Sequence, residues 1–264
     1  MNAVFSPQSA TILRTEELNK STRLFVLDIS FGAKPGQFVN IWIPNLDEKP
    51  FSVASDDGKT MSIVVSAVGP FSTAFFEKNS GEKVGIRGPF GNTFSVQKNK
   101  KIVLVGGGFG TAPLHFLGTK SQAEECKITA IIGARTKDLL LFTDWCEKSG
   151  FRTLCTTNDG SAGTEGLVTN VLEKLLETEK IDLVQSCGPE KMMEAVAKLC
   201  QSKGVPSELS LERYMKCGFG LCGQCSCDGT LVCREGTVFS GEKALSLQDF
   251  GKFHRDAEGR KRYW

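Results

Sequence analysis

The sequence predicts an antiparallel β-barrel, then an α/β domain built on a parallel sheet, and finally a small cysteine-rich module. Between residues 8 and 95, short β-like runs are separated by Gly, Pro, Asn and Asp, and several of them alternate apolar with polar residues. This pattern is typical of an antiparallel barrel or sandwich. From about residue 100, continuous apolar runs alternate with helical stretches, which indicates βαβ units. We therefore predict three domains, at 1–97, 98–205 and 206–264.

Individual elements follow from the same patterns. In the first domain we predict one short helix at 71–78 and strands at 24–29, 38–43 and 61–65. In the second domain, residues 101–105 form a continuous apolar run, as expected for a strand that is covered on both faces. Further strands are predicted at 127–132 and 182–186, with helices at 167–178 and 189–202. This alternation predicts a Rossmann-like domain.

Composition argues against several classes of function. The formal net charge of the 264-residue chain is +2, and no Lys/Arg-rich block of the kind that binds nucleic acid stands out. No apolar run approaches the roughly 20 residues that span a bilayer. Residues 1–13 lack the basic, apolar and small-residue layout of a signal peptide. We therefore expect a cytoplasmic protein without a membrane span.

The cysteines are distributed unevenly along the chain. Five of the ten are scattered through apolar or mixed surroundings, where a cysteine commonly behaves as a small hydrophobic residue. The other five fall between residues 217 and 233. Because disulfides rarely persist in the cytoplasm, this concentration of thiols needs another explanation.

The spacing of these thiols indicates an iron–sulfur centre. Cys217, Cys222 and Cys225 form a C-x4-C-x2-C pattern, and Cys233 follows downstream, as in plant-type two-iron, two-sulfur centres. The chain must curl tightly around such a centre, and the intervening glycines allow positive φ and leave amide groups free to face sulfur. We predict that these four cysteines bind a [2Fe–2S] cluster.

Zinc is the main alternative metal, because four thiolates at short spacing also form a tetrahedral site. The usual zinc pattern has two C-x2-C pairs, however, and only Cys222 and Cys225 clearly form one here. Cys227 lies two residues after Cys225 and could replace a ligand, but we expect it not to bind the cluster.

Two segments of the first domain suggest a site for a phosphate and a ring system. The first follows a strand and offers a cation, a turn-forming proline, an aromatic ring and a hydroxyl, from Lys49, Pro50, Phe51 and Ser52. The second opens the short helix, where free backbone N–H groups would suit a phosphate, and it contains Gly69, Ser72 and Thr73. An ordinary hairpin turn and ordinary helix capping are the alternatives.

A glycine-rich turn lies between the first strand and helix of the second domain, where the pyrophosphate of a dinucleotide would bind. The strict G-x-G-x-x-G pattern is absent, and the turn contains Gly106, Gly107, Gly108, Gly110 and Thr111. Cys187 and Gly188 end a later strand, at the carboxyl edge where open α/β sheets bind ligands. Packing would explain a lone cysteine, but the position before Gly-Pro favours a nicotinamide contact.

The order of these motifs resembles the ferredoxin–NADP reductase superfamily. The first domain carries Pro-Phe-Ser at 50–52 and Gly-Pro-Phe-Gly at 88–91, and the second carries the glycine-rich turn and Cys-Gly-Pro at 187–189. The appended cysteine module makes nearly the whole chain similar to the electron-transfer subunits of type B dihydroorotate dehydrogenases. This resemblance implies an FAD-binding barrel, an NAD(P)-binding domain and a [2Fe–2S] module.

The same resemblance assigns residues to sites. The flavin motif falls on residues 49–52, and the region that holds the FAD pyrophosphate falls on Gly69, Ser72 and Thr73. The nicotinamide site falls on residues 106–111 together with Cys187 and Gly188. The family usually has arginine at the position of Lys49. A lysine keeps the positive charge, but it cannot bind a phosphate through two parallel N–H groups as a guanidinium does.

The resemblance also implies a function. A catalytic subunit with its own flavin oxidises dihydroorotate for pyrimidine biosynthesis, and electrons pass through the cluster and FAD of this chain to NAD⁺. The expected assembly is a heterotetramer with two copies of each chain. No general acid–base pair is expected here, and the two histidines, His115 and His254, are assigned to a helix face and to the surface.

Alternatives stay open for the partner and the nucleotide. The short segment 226–232 before the last cysteine also resembles the corresponding subunit of archaeal-type sulfhydrogenases. The chain could therefore be the NAD(P)-linked diaphorase subunit of a sulfhydrogenase, sulfite reductase or transhydrogenase-type complex. A zinc-stabilised binding module with an empty nucleotide fold is a third hypothesis. The resemblance favours NAD, whereas Arg135 and Lys137 after the second predicted strand could bind the 2′-phosphate of NADP.

Overall fold

The computed structural model describes residues 6–263. Residues 1–5, on which the signal-peptide argument partly rests, and residue 264 lie outside the described part of the chain. The predicted fold class is confirmed, because a closed antiparallel barrel is followed by a mainly parallel sheet with helices. Within residues 6–263, no helix is both long and apolar enough to cross a membrane.

Six strands form the barrel, in the order β1-β2-β5-β4-β3-β6. They are β1 (Gln8–Asn19), β2 (Thr22–Leu27), β3 (Phe38–Ile43), β4 (Asp47–Asp56), β5 (Met61–Ser66) and β6 (Lys83–Phe90). The period of two places Phe25 and Leu27 of β2 in the barrel core with no exposed surface. The helix α1 (Pro70–Phe76) adds Phe75 to the same core and begins close to the predicted position.

The second sheet has seven strands in the order β10-β9-β8-β7-β11-β12-β15. Its parallel strands are β7 (Lys101–Gly107), β8 (Lys127–Ala134), β9 (Arg152–Thr157), β10 (Thr164–Glu165), β11 (Leu183–Cys187) and β12 (Ser207–Ser210). The helices between them are α2 (Thr111–Ala123), α3 (Thr143–Lys148), α4 (Val168–Thr178) and α5 (Glu190–Ser202). Sequence patterns did not reveal α3, β9 or β10, which are short elements.

The C-terminal residues are joined to this sheet. Its last strand, β15 (Val238–Ser240), pairs antiparallel with β12. The predicted domain boundary after residue 205 therefore falls immediately before a strand of the same sheet. The remaining elements are β13 (Ser226–Cys227), β14 (Thr230–Leu231), α6 (Val232–Glu235), α7 (Gly241–Ser246), β16 (Phe253–Arg255) and β17 (Lys261–Tyr263).

The three parts of the chain share their hydrophobic cores. Phe116 of α2 packs into the core of the barrel. Phe38 and Phe90 of the barrel pack together with Met193 of α5 and with Cys225 of the cysteine-rich segment. The segments that carry the predicted motifs therefore meet where barrel, sheet and cysteine-rich segment join.

Candidate functional site

The four predicted cluster cysteines lie in one loop and form two neighbouring pairs. The Cys222 thiol lies close enough to lower the pKa of Cys217, whose sulfur accepts the backbone N–H groups of Leu221 and Cys222 at 3.4 and 3.5 Å. In the same way, the Cys233 thiol lowers the pKa of Cys225, and the N–H of Cys233 lies 3.4 Å from the sulfur of Cys225. The second pair is buried, whereas Cys222 is exposed.

The backbone of this loop favours a thiolate in each pair. Burial raises the pKa of Cys217, but the N–H groups of Cys222, Phe219 and Leu221 outweigh it and bring that pKa to about 7. The Cys233 thiol is the largest influence on Cys225, whose pKa falls to about 6, while the pKa of Cys233 rises. Because the thiolate is the form that binds metal, the loop is prepared for ligation.

Two glycines bring this loop close to its neighbours. Gly218 has a φ of 87°, and a Cβ atom there would lie 2.9 Å from the ring of Phe90 on β6. Gly220 has a φ of 85°, and a Cβ atom would lie 2.7 Å from Cδ of Arg234. A side chain at either position would both strain the backbone and push the loop away from its support.

The donor set fits a two-iron cluster. Each iron of such a cluster takes two protein ligands, which matches two thiol pairs with backbone N–H groups directed at sulfur. Cys227 belongs to neither thiol pair. Its buried sulfur accepts a hydrogen bond from Arg213 Nη2 at 2.9 Å.

The predicted flavin motif lies on β4, beside the cysteine-rich segment. Lys49 Nζ contacts the Asp47 carboxylate and lies 3.5 Å from the Tyr214 hydroxyl. Burial lowers the pKa of Lys49, whereas its interactions with Asp47 and Tyr214 raise it. Together these two interactions outweigh burial, so the pKa of Lys49 is raised. Pro50 is half-buried, and Ser52 is exposed.

The predicted phosphate segment is connected to this motif through aromatic packing. The Phe51 ring lies 6.1 Å from Phe71 and 5.6 Å from Phe75 of α1, between ring centroids. Ser72 caps the helix, since its hydroxyl accepts the N–H groups of Val68 and Gly69 at 3.0 Å. Thr73 is exposed. Ser72 therefore caps α1, and its assignment to the FAD pyrophosphate stays a prediction.

The glycine-rich turn and the Cys-Gly-Pro segment are adjacent. Gly106 of β7 pairs with Cys187 of β11, and a Cβ atom on Gly110 would lie 2.6 Å from the Cα of Gly188. A Cβ atom on Gly107 would lie 2.7 Å from the Met192 sulfur. Glycines here thus allow two backbones to touch at the carboxyl edge of the sheet, where the sequence predicted a nucleotide.

The rest of the turn differs from these packed glycines. A Cβ atom on Gly108 would meet nothing within 4 Å, although its φ is 54°. Thr111 is buried at the start of α2, and its hydroxyl has no hydrogen-bond partner among the described residues. The open side of the turn at Gly108 leaves its backbone accessible to a ligand.

The cysteine-rich segment also reaches the predicted nicotinamide site. Burial raises the pKa of Cys187 to about 12, and the nearby charge of Glu212 acts in the same direction. Desolvation, then the charge of Glu190, raises the pKa of Glu212, although this residue is exposed.

Several residues near the predicted sites have contacts that the sequence did not predict. His115 on α2 is mostly buried, and burial lowers its pKa to about 4 although a hydrogen bond with the Ala54 backbone opposes the shift. Its ring packs against Trp145 and Phe142. Tyr214 and Arg87 also contact the predicted sites, but they are distant in sequence from those partners. No local motif marks them.

Comparison with known proteins identifies the family. The model of the iron–sulfur cluster binding domain of dihydroorotate dehydrogenase B matches residues 212–244, which include all four predicted ligands. A Methanocaldococcus jannaschii protein named "Probable dihydroorotate dehydrogenase B (NAD(+)), electron transfer subunit" is 40% identical over 97% of this chain and 100% of its own length. The chain belongs to the family of dihydroorotate dehydrogenase B electron transfer subunits.

Other comparisons agree with this family. A Thermococcus kodakarensis protein of the same name is 43% identical over 90% of this chain and 97% of its own length. The structure of an NADH-dependent reduced ferredoxin–NADP oxidoreductase, described for flavin-based electron bifurcation, superposes with a TM-score of 0.80. It is 31% identical and covers 88% of both chains. The resemblance inferred from the motifs is confirmed.

Proposed function

We propose that this chain is the electron-transfer subunit of a dihydroorotate dehydrogenase B, which passes electrons from the flavin of a catalytic subunit to NAD⁺ in pyrimidine biosynthesis. Family membership supports this function, since the relatives that match over nearly the full chain carry that name. The cysteine motif, the barrel and the parallel sheet supply the three parts that the function needs.

One observation carries the proposal: residues 210–217 connect all three predicted sites in succession. Ser210 pairs with Cys187 of the nicotinamide site, and the charge of Glu212, two residues later, raises the pKa of the Cys187 thiol. Tyr214 lies beside Lys49 of the flavin motif. Cys217 is a predicted cluster ligand, and its carbonyl is bound by Arg87 of the barrel. Three cofactors bound at these positions would therefore lie around one short segment, as an electron relay requires.

We assign the cofactors to the following residues. FAD is held by Lys49, Pro50, Phe51, Ser52, Gly69, Ser72 and Thr73. NAD is held by Gly106, Gly107, Gly108, Gly110, Thr111, Cys187 and Gly188. The cluster is held by Cys217, Cys222, Cys225 and Cys233.

The chain's own residues position these groups and perform no acid–base step. FAD, when bound, supplies chemistry that joins one-electron exchange with iron–sulfur to two-electron exchange with nicotinamide. The open side of the turn at Gly108 leaves its backbone accessible to the dinucleotide, and the Cys187 thiol stays neutral because burial raises its pKa to about 12. His115 is neutral at physiological pH, because burial lowers its pKa to about 4.

The electron-transfer role requires a second chain. We propose a catalytic dihydroorotate dehydrogenase subunit as this partner, in a cytoplasmic heterotetramer with two copies of each chain. Co-expression followed by analytical ultracentrifugation tests the stoichiometry, and a mass that corresponds to any other ratio would contradict it.

Anaerobic spectroscopy of the purified chain with NADH tests the function. We expect a flavin absorption band that NADH bleaches, together with a rhombic electron paramagnetic resonance signal from a reduced two-iron cluster. Cys222→Ser is the informative variant, because it removes a ligand on the exposed side and leaves the predicted flavin and nucleotide residues intact. It should lose the resonance signal while NADH still bleaches the flavin. A colourless wild-type protein that contains zinc would sink the proposal.

A second candidate is favoured by one comparison. The relative of TM-score 0.80 is an NADH-dependent reduced ferredoxin–NADP oxidoreductase, which supports an NAD(P)-linked subunit of another complex. Arg135 and Lys137 are exposed at the end of β8 and would suit a 2′-phosphate. The two candidates differ in the partner chain, so co-purification with a subunit other than a flavin-containing dihydroorotate dehydrogenase would select the second.

A further inference from the structure

One arginine of the barrel is bonded to the backbone of the cluster loop. Arg87 on β6 donates from Nη1 to the carbonyl of Cys217 at 2.6 Å and from Nη2 to the carbonyl of Lys216 at 3.1 Å. Asn40 on β3 donates from Nδ2 to the same Lys216 carbonyl at 3.0 Å. Two neighbouring barrel strands therefore hold the residue that we assign as the first cluster ligand.

Arg87 is itself fixed in place. It forms a bidentate pair with Glu48, in which Nη2 lies 2.7 Å from Oε2. Its guanidinium also lies 5.3 Å from the ring of Phe90 and 5.9 Å from that of Phe219 in the cluster loop. The side chain of Arg87 is 9% exposed. A planar guanidinium can satisfy a carboxylate and two carbonyls at once, whereas a lysine could not.

The pair also connects the cluster loop to the predicted flavin motif. Glu48 directly precedes Lys49 on β4, and it contacts Arg87 across the barrel surface. A continuous path thus runs from the flavin motif through Glu48 and Arg87 to Cys217. All of its links are charge-assisted hydrogen bonds or covalent bonds, which are the strongest contacts available for fixing one loop against another.

We infer that Arg87 and Glu48 form a positioning unit that fixes the cluster loop on the barrel and sets the reduction potential of the cluster. This inference rests on the proposed function, because it requires a cluster at Cys217. Reduction adds negative charge to the cluster, so a nearby positive charge favours the reduced form and a negative charge disfavours it. Charge and hydrogen bonding around the sulfurs are the known determinants of such potentials.

Removing the charge of Arg87 and removing the charge of Glu48 should shift the reduction potential of the cluster in opposite directions. Arg87→Met removes a positive charge and should make the potential more negative. Glu48→Gln removes a negative charge and should make it more positive. The double variant removes both charges and should return the potential towards the wild-type value. A merely structural role would shift the potential in the same direction in both single variants, because each breaks the same pair.

The experiment is a redox titration of the holo-protein, with the cluster followed by electron paramagnetic resonance. Arg152→Met and Glu179→Gln are matched controls, because Arg152 and Glu179 form another arginine–glutamate pair at the opposite edge of the sheet. These controls should leave the potential unchanged. Opposite shifts for Arg87→Met and Glu48→Gln, with recovery in the double variant, support the inference. Shifts in one direction, or none, overturn it.

Two further outcomes of this titration have a clear interpretation. If Arg87→Met does not fold, Glu48→Gln decides the matter, since a positive shift supports the inference and an unchanged potential overturns it. A wild-type protein without any cluster signal contradicts the proposed function itself. If the wild-type protein has a cluster signal and neither substitution changes its potential, only the role of Arg87 and Glu48 is contradicted.

Discussion

The cysteine-rich segment is held from two sides by arginine–glutamate pairs, and the two pairs differ in what they support. On the barrel side, Arg87 pairs with Glu48 and donates to backbone carbonyls of the cluster loop. On the sheet side, Arg213 pairs with Glu190 at the start of α5, with Nη2 3.1 Å from Oε1. We refer to these pairs as the barrel anchor and the sheet anchor.

Burial distinguishes the two anchors. In the sheet anchor the side chains of Arg213 and Glu190 are 2% and 3% exposed, whereas in the barrel anchor Glu48 is 24% exposed. Glu190 also accepts the N–H of Gly251 at 2.7 Å, and Arg213 contacts the sulfur of Cys227. The sheet anchor thus joins three parts of the fold without touching a predicted ligand. It supports the structure, while the barrel anchor supports a ligand.

The largest effect is expected from breaking the sheet anchor. Arg213→Met would remove the arginine that pairs with the buried Glu190 carboxylate, which costs about 3–5 kcal/mol of the free energy of unfolding. Urea unfolding of the holo-protein, followed by tryptophan fluorescence, measures this loss. The more exposed pair of Arg152 and Glu179 provides the control, because Arg152→Met should lower the free energy of unfolding by no more than about 1 kcal/mol. Equal effects of the two substitutions would remove the distinction between buried anchor and exposed pair.

A third contact between parts of the chain is uncharged and should respond to pH. His115 links α2 to the backbone of Ala54 in β4, and burial lowers its pKa to about 4 in the folded protein. In the unfolded chain, His115 has the ordinary histidine pKa of about 6.5. Below that pH the unfolded chain binds a proton at His115 more readily than the folded protein does, which favours unfolding. The stability is fully present above pH 6.5 and is lost progressively as the pH falls towards 4.

This effect should be visible in the difference between two pH profiles. Between pH 8 and pH 5 the wild-type protein should lose about 2 kcal/mol of unfolding free energy through His115 alone. The His115→Gln variant should lack that part of the slope, and His254→Gln should retain it. Parallel profiles for wild type and His115→Gln would mean that the contact with β4 does not depend on a neutral ring.

How far the sequence predicts this molecule depends on the distance between interacting residues. The cluster cysteines lie within 17 positions of one another (217–233), so their spacing alone indicates a shared metal centre. The predicted strands and helices of both domains follow from local hydrophobic periodicity in the same way. Short elements with weak periodicity, such as α3 and β9, were missed.

Contacts across the junction could not be predicted in this manner. Arg87 lies 130 residues from Cys217, and Asn40 lies 176 residues from Lys216. Nothing near Arg87 distinguishes it from any other arginine on a strand until the closed barrel places it beside the cluster loop. Similarly, the sequence allowed Ser72 to bind a phosphate or cap a helix, and only the coordinates reveal its capping bonds.

Cys227 provides the smallest and most specific test of the comparison between anchors. It lies between two predicted ligands in sequence, but its sulfur contacts Arg213 of the sheet anchor. Cys227→Ala should therefore reduce the unfolding free energy by about 1 kcal/mol, through a small cavity and an unpaired N–H group. The electron paramagnetic resonance signal of the cluster should not change.

Two cysteine variants make this last result interpretable. Cys225→Ala should abolish the cluster signal, because Cys225 belongs to a ligand pair. Cys200→Ala removes an equally buried thiol in α5 and controls for the cavity alone. If Cys227→Ala altered the shape of the signal while Cys200→Ala did not, Cys227 would have to be counted among the ligands, and the sheet anchor would act on the cluster directly.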